Sequence, residues 1–193
     1  EFSGVLVRQR PRQPGLQVIS EFTRYLRPVV NQALTNFCIE LTGITQDQVD
    51  RGCSLSECLK DFEEWLDREG VREDPSSTSS SSPRLAIVTW SDADCLSAIR
   101  RNCDALKIPF PKRFAHWINL KELFKQHFKR KPTMGLKREV EALGLVFEGR
   151  AHSGIVDARN TVKIAQRMSD EGFRFWRHTR NIYVGNRDKR QRK

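Results

Sequence analysis

Residues 151–161 read AHSGIVDARNT, and they combine an imidazole on a Ser-Gly turn with a carboxylate five residues later. Further apolar residues recur at helical spacing: Ile155, Val162, Ala165 and Met168. This spacing predicts a helix with one buried face and with Asp157 in its first turn. The positive end of the helix dipole favours the ionised carboxylate. The pattern indicates metal-assisted hydrolysis; the alternative is that Asp157 only complements the helix dipole and His152 is an ordinary loop residue.

Asp94 is the second candidate carboxylate. It follows an apolar run at residues 85–90, which is typical of a strand buried on both faces. Ligands of open α/β sheets bind beyond such strand ends. We therefore expect Asp94 and Asp157 to share a divalent cation, and Mg²⁺ prefers such oxygen ligands. Histidine ordinarily titrates near about pH 6.5, so His152 is the candidate general base. A plain helix cap is the alternative role of Asp94.

The remaining pattern predicts a mixed sheet flanked by helices, an α/β fold. Two β-prone runs, residues 2–7 and 18–26, predict an antiparallel hairpin. Ser54 and Glu57 form a capping box that starts a helix ending at Gly70. Further helices are expected at 32–40, from 45, behind Asp94, at 119–128 and at 135–143, with a short strand at 145–148. The Ser-rich stretch 73–83 is predicted to be a flexible loop within one domain.

Charge and cysteine content restrict the class of protein. The net charge is +10, of which residues 174–193 carry eight basic and one acidic side chain. Such a basic tail indicates nucleic acid, an anionic surface or a nuclear address, or else a solvated tail without a partner. Five cysteines without a CxxC pair favour reduced thiols in an intracellular protein and argue against zinc. No apolar run approaches the roughly 20 residues that span a bilayer, so we expect a soluble protein without membrane contact.

Four stretches resemble one known family: FCIELTGITQDQVD at 37–50, VTWSDAD at 88–94, FAHWIN at 114–119 and GRAHSGIVDARN at 149–160. In their order and spacing the chain is similar to the three-prime exonucleases of the enhanced-RNAi and histone-mRNA exonuclease family. These belong to the DEDDh group and have a ribonuclease-H-like fold. The resemblance covers residues 1–172 and leaves 173–193 as a basic C-terminal tail.

The resemblance implies a role for six residues. Asp94 and Asp157 would bind metal, in a complete site that holds two Mg²⁺ or Mn²⁺ ions. His152 would be the general base. Phe37, Thr42 and Gly43 match the segment that lines the terminal-nucleotide pocket of the family, where an aromatic face can stack on a base.

The sequence departs from the family pattern at two places. An Asp-x-Glu motif on a central strand would precede Glu1, and residues 1–7 fit the strand that follows it. We therefore expect either further upstream sequence, which the missing initiator Met also suggests, or a degenerate copy with a reduced metal site. The second departure is Ala93, which stands where the family usually carries an aromatic residue.

The leading functional hypothesis is a 3′–5′ exonuclease that hydrolyses RNA phosphodiesters from the 3′ end, with single-stranded DNA as an alternative substrate. A different class is also open: a catalytically inactive RNA-binding member of the same fold. The missing Asp-x-Glu motif favours the inactive protein, whereas retention of His152 and Asp157 favours the enzyme. A protein scaffold has no support in the sequence, which identifies no protein partner. The expected location is the cytoplasm, the nucleus or both.

Overall fold

The computed structural model describes residues 1–10, 13–71, 85–130, 135–175 and 179–181. The strands are β1 (Phe2–Gln9), β2 (Leu16–Arg24), β3 (Ile87–Thr89), β4 (His116–Asn119) and β5 (Arg180–Asn181). The α-helices are α1 (Asn36–Thr42), α2 (Gln46–Asp50), α3 (Leu55–Arg68), α4 (Arg101–Leu106), α5 (Leu120–Phe128), α6 (Leu136–Ala142) and α7 (Gly154–Asp170). A π-helical segment at Asp94–Arg100 runs into α4, and a 3₁₀ turn at Lys112–Ala115 precedes β4. None of these helices is long and apolar enough to cross a membrane.

The chain divides into two compact units. The first unit contains Glu1–Glu69 and Pro132–Arg174, and the second contains Gly70–Lys131 and Phe175–Lys193. The predicted Ser-rich loop at 73–83 and most of the predicted basic tail at 173–193 lie outside the described residues.

The first unit is built on an antiparallel hairpin. β1 pairs with β2 from Phe2 opposite Arg24 to Gln9 opposite Leu16, with an irregularity between Leu6 and Val7. Aromatic side chains of the hairpin meet those of α3. Their ring centroids lie 5.3–5.9 Å apart among Phe2, Phe22, Phe62 and Trp65. The three pairs among the phenylalanines are edge-to-face, and such pairs each add about 0.5–1.5 kcal/mol to the burial of the rings. This cluster therefore fixes α3 on the hairpin.

Local signals set the ends of α3. The Ser54 hydroxyl accepts from the Glu57 N–H, and the Glu57 carboxylate accepts in return from the Ser54 N–H at 2.8 Å. Two otherwise unpaired helix donors are thereby satisfied. Gly70 follows the last turn with a φ of +75°, a backbone conformation that glycine adopts without strain.

The second unit contains a three-stranded mixed sheet. β4 lies between β3, to which it is parallel, and β5, to which it is antiparallel. The buried interior of this unit combines side chains of β4, α5 and the helical segment after β3: Trp117, Ile118, Leu120, Phe124, Cys95, Ile99 and Cys103.

The α/β class, the hairpin, the capping box and the helices near 119–128 and 135–143 are confirmed. The helix predicted at 32–40 instead begins at Asn36, because Thr35 caps it, and runs on to Thr42. The strand at 85–90 is shorter than predicted, and its three residues are half-buried instead of buried on both faces. The strand predicted at 145–148 is wrong, because no ladder forms there.

Candidate active site

The start of α7 is capped from a distant part of the chain. The carboxylate of Glu1 accepts hydrogen bonds from the N–H groups of Gly154 and Ile155, each at 3.0 Å. Ser3 donates its hydroxyl to the same carboxylate at 2.8 Å. A side chain at position 154 would crowd this contact, since a Cβ there would lie 3.2 Å from Glu1 Cδ. A negative group therefore complements the helix dipole here, although the residue before the helix, Ser153, gives no side-chain cap.

His152 and Asp157 are brought together at this helix start, as predicted. The backbone N–H of His152 points to Asp157 Oδ1 over a long 3.4 Å. The imidazole belongs to an exposed residue, and its backbone has a φ of +71°. Asp157 is half-buried in the first turn of α7. An exposed histidine and a half-buried aspartate therefore share one short turn.

The carboxyl of Asp157 resists ionisation. Burial raises the pKa of Asp157 above its ordinary value, the His152 N–H and the His152 charge oppose that rise, and the charge of Glu1 adds to it. The sequence led us to expect the helix dipole to favour ionisation, but burial outweighs that effect. A divalent cation would reverse the balance, because a neighbouring positive charge favours the carboxylate.

The predicted nucleotide-binding residues lie at α1. Phe37 is 69% exposed, so its ring is available for stacking. Thr42 is occupied inside the helix end, since its hydroxyl donates to the Cys38 carbonyl at 2.7 Å and accepts from the Ile44 N–H at 3.1 Å. Gly43 terminates α1 in the left-handed region with a φ of +77°.

Asp94 belongs to the second unit, whereas the other five predicted site residues belong to the first. It is an exposed residue at the first position of the π-helical segment. The preceding loop is anchored through Asp92, whose Oδ1 accepts from Trp117 Nε1 at 2.9 Å and from Asn119 Nδ2 at 2.8 Å. Asp92 thus ties the segment that carries Asp94 to strand β4.

The described residues contain no cluster of three or more His, Cys, Asp or Glu side chains that could hold a metal ion. The donor chemistry nevertheless fits a hard cation at Asp157. Its Oδ1 receives one long hydrogen bond, from the His152 backbone, and the carboxyl is half-buried. Carboxylate oxygens are the ligands that Mg²⁺ prefers.

A family model described as "Exonuclease" matches residues 4–165, which include the whole first-unit site apart from Glu1. The chain belongs to the exonuclease family. Among curated relatives, it is 42% identical over 161 residues to ERI1 exoribonuclease 2 of Danio rerio, covering 80% of this chain and 29% of that protein. It is 37% identical over 163 residues to ERI1 exoribonuclease 2 of Homo sapiens, covering 81% and 23%. This exonuclease-family chain therefore spans less than a third of the length of these two relatives.

Solved structures agree with this membership of the exonuclease family. The nuclease domain of 3′hExo, a DEDDh family member bound to rAMP, has a TM-score of 0.75 at 25% identity, covering 93% of this chain and 95% of that one. A 3′-exonuclease in 3′-end specific recognition of a histone mRNA stem-loop has a TM-score of 0.73 at 25% identity, covering 88% and 81%. The resemblance to the histone-mRNA exonuclease family and the ribonuclease-H-like class are thus confirmed.

Three residues of this exonuclease-family site were assigned no role from the sequence: Glu1, Arg150 and Asn160. Glu1 caps α7 and Arg150 binds the end of α1, both over more than one hundred residues of chain. Asn160 is fully buried and pairs with the backbone of Glu148. Asn160 lies off the apolar face predicted from Ile155, Val162, Ala165 and Met168, so none of the three carried a local signal.

Proposed function

We propose that this chain is the nuclease domain of a 3′–5′ exoribonuclease, which hydrolyses RNA one nucleotide at a time from a free 3′ end. The observation that carries the proposal is the placement of His152 and Asp157 in one turn at the start of α7, where the His152 backbone N–H donates to Asp157. Family membership supports hydrolysis of nucleic acid. The names of the relatives and the histone mRNA stem-loop recognised by the structural neighbour support RNA as the substrate.

The roles of the side chains follow from their chemistry. His152 is the general base that takes a proton from the attacking water, and its exposed position leaves it open to solvent. Asp94 and Asp157 are ligands of Mg²⁺ or Mn²⁺. When bound, two such ions stabilise the charges that develop on the attacking and leaving oxygens.

Phe37, Thr42 and Gly43 contact the terminal nucleotide. The exposed ring of Phe37 stacks on the base, which needs no particular base sequence because every base has a π-face. The hydroxyl of Thr42 is already bonded within the helix end, so this residue acts by shaping the pocket and not by donating to the sugar. Arg174 and Arg180 bind groups within the protein. The other basic residues of the tail hold phosphates, an interaction that weakens with salt.

The test uses the full-length protein with RNA labelled at its 5′ end, Mg²⁺ or Mn²⁺, and a circular RNA of the same sequence. Wild-type protein is expected to shorten the linear RNA stepwise and to leave the circle intact. His152→Asn is expected to lower the rate by roughly 100-fold or more, as loss of a general base does. His116→Asn, the same change at an exposed histidine of β4, is the matched control.

Two results would overturn the proposal. Cutting of the circular RNA would show an endonuclease. Binding of linear RNA without any shortening, in the presence of either metal, would instead show an inactive RNA-binding protein.

A further inference from the structure

The end of α1 carries a carbonyl without its usual helical partner. The carbonyl of Glu40 would ordinarily accept from the N–H four residues later, that of Ile44. That N–H donates instead to the Thr42 hydroxyl at 3.1 Å. The helix ends at Gly43, whose own N–H donates to the Ile39 carbonyl at 2.8 Å. The Glu40 carbonyl therefore needs a donor from elsewhere.

Arg150 supplies that donor. Its Nη2 donates to the Glu40 carbonyl at 2.6 Å, across 110 residues of chain. A cation at this position also complements the negative end of the helix dipole. The guanidinium lies directly against Gly43, because a Cβ built there would be 2.7 Å from Nη1 and 3.2 Å from Cδ of Arg150. Gly43 thus serves two purposes: it adopts the left-handed conformation and it leaves room for Arg150.

The backbone of the same arginine closes the turn that holds the catalytic histidine. The carbonyl of Arg150 accepts from the Ser153 N–H at 3.4 Å, and His152 lies inside this turn with its positive φ. One residue therefore binds α1 with its side chain and the His152 turn with its main chain.

We infer that Arg150 is a positioning residue that ties the nucleotide-binding end of α1 to the His152 turn, so that contact with the terminal base is coupled to hydrolysis. This inference rests on the proposed function. Without the link, a base stacked on α1 would no longer place the scissile phosphate against His152. Misplacement of this kind lowers the rate of the chemical step even when binding persists.

The first test compares hydrolysis of two RNAs by the full-length protein, one with a normal 3′ nucleotide and one whose 3′-terminal nucleotide lacks its base. Arg150→Ala is expected to lower kcat on the normal RNA by roughly tenfold or more, the size of a lost charged hydrogen bond. On the abasic RNA the same variant should lose about threefold or less, since the α1 contact is already absent. Arg150→Lys, which keeps the charge and one donor, should fall between wild type and alanine.

Gly43→Ala allows a double-mutant cycle that tests the contact between Gly43 and Arg150. Its Cβ displaces the guanidinium, so the double variant with Arg150→Ala should lose less than the product of the two single losses. Arg174→Ala is the matched control, because this arginine donates to the carbonyls of Gln13 and Arg10, each at 2.8 Å, in the same unit. Arg174→Ala should lower kcat equally on both RNAs or leave both values unchanged.

Hydrogen exchange gives a reading that does not depend on activity. In Arg150→Ala the amides of Ile39 and Gly43 should exchange faster, with the amides of α3 unchanged and the thermal midpoint recorded alongside. Equal kcat losses on both RNAs, or unchanged exchange in α1, would overturn the link. Absence of hydrolysis by the wild-type protein would instead refute the proposed function, and the exchange comparison would still decide whether Arg150 restrains α1.

Discussion

The side-chain amide of Asn160 pairs with the backbone of Glu148 through two hydrogen bonds. Its Oδ1 accepts from the Glu148 N–H at 3.2 Å, and its Nδ2 donates to the Glu148 carbonyl at 2.9 Å. The same nitrogen donates to the Val156 carbonyl at 2.8 Å. Asn160 has no exposed surface. The loop before the His152 turn has no neighbouring strand, and the Asn160 amide satisfies the backbone groups that such a strand would bind.

Asn160→Ala is expected to lower the free energy of unfolding by about 2–4 kcal/mol, because the fully buried amide is lost and both backbone groups of Glu148 lose their partner. Urea unfolding measures the loss. Asn102→Ala is the control: that exposed amide makes one bond, to the Ala98 carbonyl at 2.7 Å, and its removal should change stability by about 0.5 kcal/mol or less. Equal effects of the two substitutions would contradict the structural role of Asn160.

The ion pair between β2 and α7 predicts an acid-dependent loss of stability. Arg159 binds Glu21 through Nε at 2.8 Å and Nη2 at 2.6 Å. These hydrogen bonds lower the pKa of Glu21, burial opposes that shift and the charge of Arg159 adds to it. A carboxyl whose pKa is lowered in the folded state stabilises the protein at pH values above its unfolded-state pKa. This stabilisation is lost as the pH falls through the folded-state pKa.

Glu21→Gln should therefore cost stability at pH 7, within the about 0.2–1 kcal/mol of an exposed pair, and the cost should disappear in acid below the pKa of Glu21. Parallel urea titrations of wild type and variant at several pH values measure the difference. The further change Arg159→Ala should add little once the partner is gone. A difference that grows as the pH falls would contradict this assignment.

Buried thiols should be protected from alkylation. Burial, with smaller effects of nearby groups, raises the pKa of Cys58 and that of Cys95 to about 12, and neither residue has exposed surface. The thiolate is the reactive form, so at pH 8 iodoacetamide should modify the half-buried Cys38 well before these two. Mass spectrometry after timed labelling gives the order. In urea all the cysteines should be modified at similar rates. Early modification of Cys95 in the native protein would contradict its burial.

Phe37 should matter for activity but not for folding. Because its ring is 69% exposed, Phe37→Ala should change the free energy of unfolding by about 0.5 kcal/mol or less. Loss of a stacked base should lower kcat/KM on RNA by roughly 5- to 100-fold. Val30→Ala, at a side chain that is 87% exposed, is the matched control and should leave both quantities unchanged. An unaltered kcat/KM for Phe37→Ala would remove this residue from the nucleotide site.

Features governed by neighbouring residues could be predicted from the sequence. The capping box of Ser54 and Glu57 requires only a helical turn to form, and it marked the start of α3 correctly. The contact between the His152 backbone and Asp157 spans a single turn, and the sequence had placed both residues at this helix start. The prediction of a strand at 145–148 failed because apolar residues alone do not show whether a partner strand is present. Asn160 of α7 took that place.

Contacts between distant residues could not be predicted. Glu1 reaches Gly154 across more than one hundred and fifty residues, and nothing in its own neighbourhood marks it as a helix cap. Arg150 reads as one basic residue among many until the structure places it on the Glu40 carbonyl. The raised pKa of Asp157 also depends on burial, which the sequence suggested only for the face of Ile155, Val162, Ala165 and Met168.

The left-handed backbone of His152 makes selection for folding and selection for function favour different residues at that position. With a φ of +71°, folding alone would favour glycine or asparagine there, since both adopt this conformation more readily than histidine. Without a requirement for the imidazole, replacement of the histidine by either residue would slightly stabilise the protein. Among natural variants of this domain, persistence of histidine at 152 would thus support its proposed role as the general base, and a switch to glycine or asparagine in active variants would contradict that role.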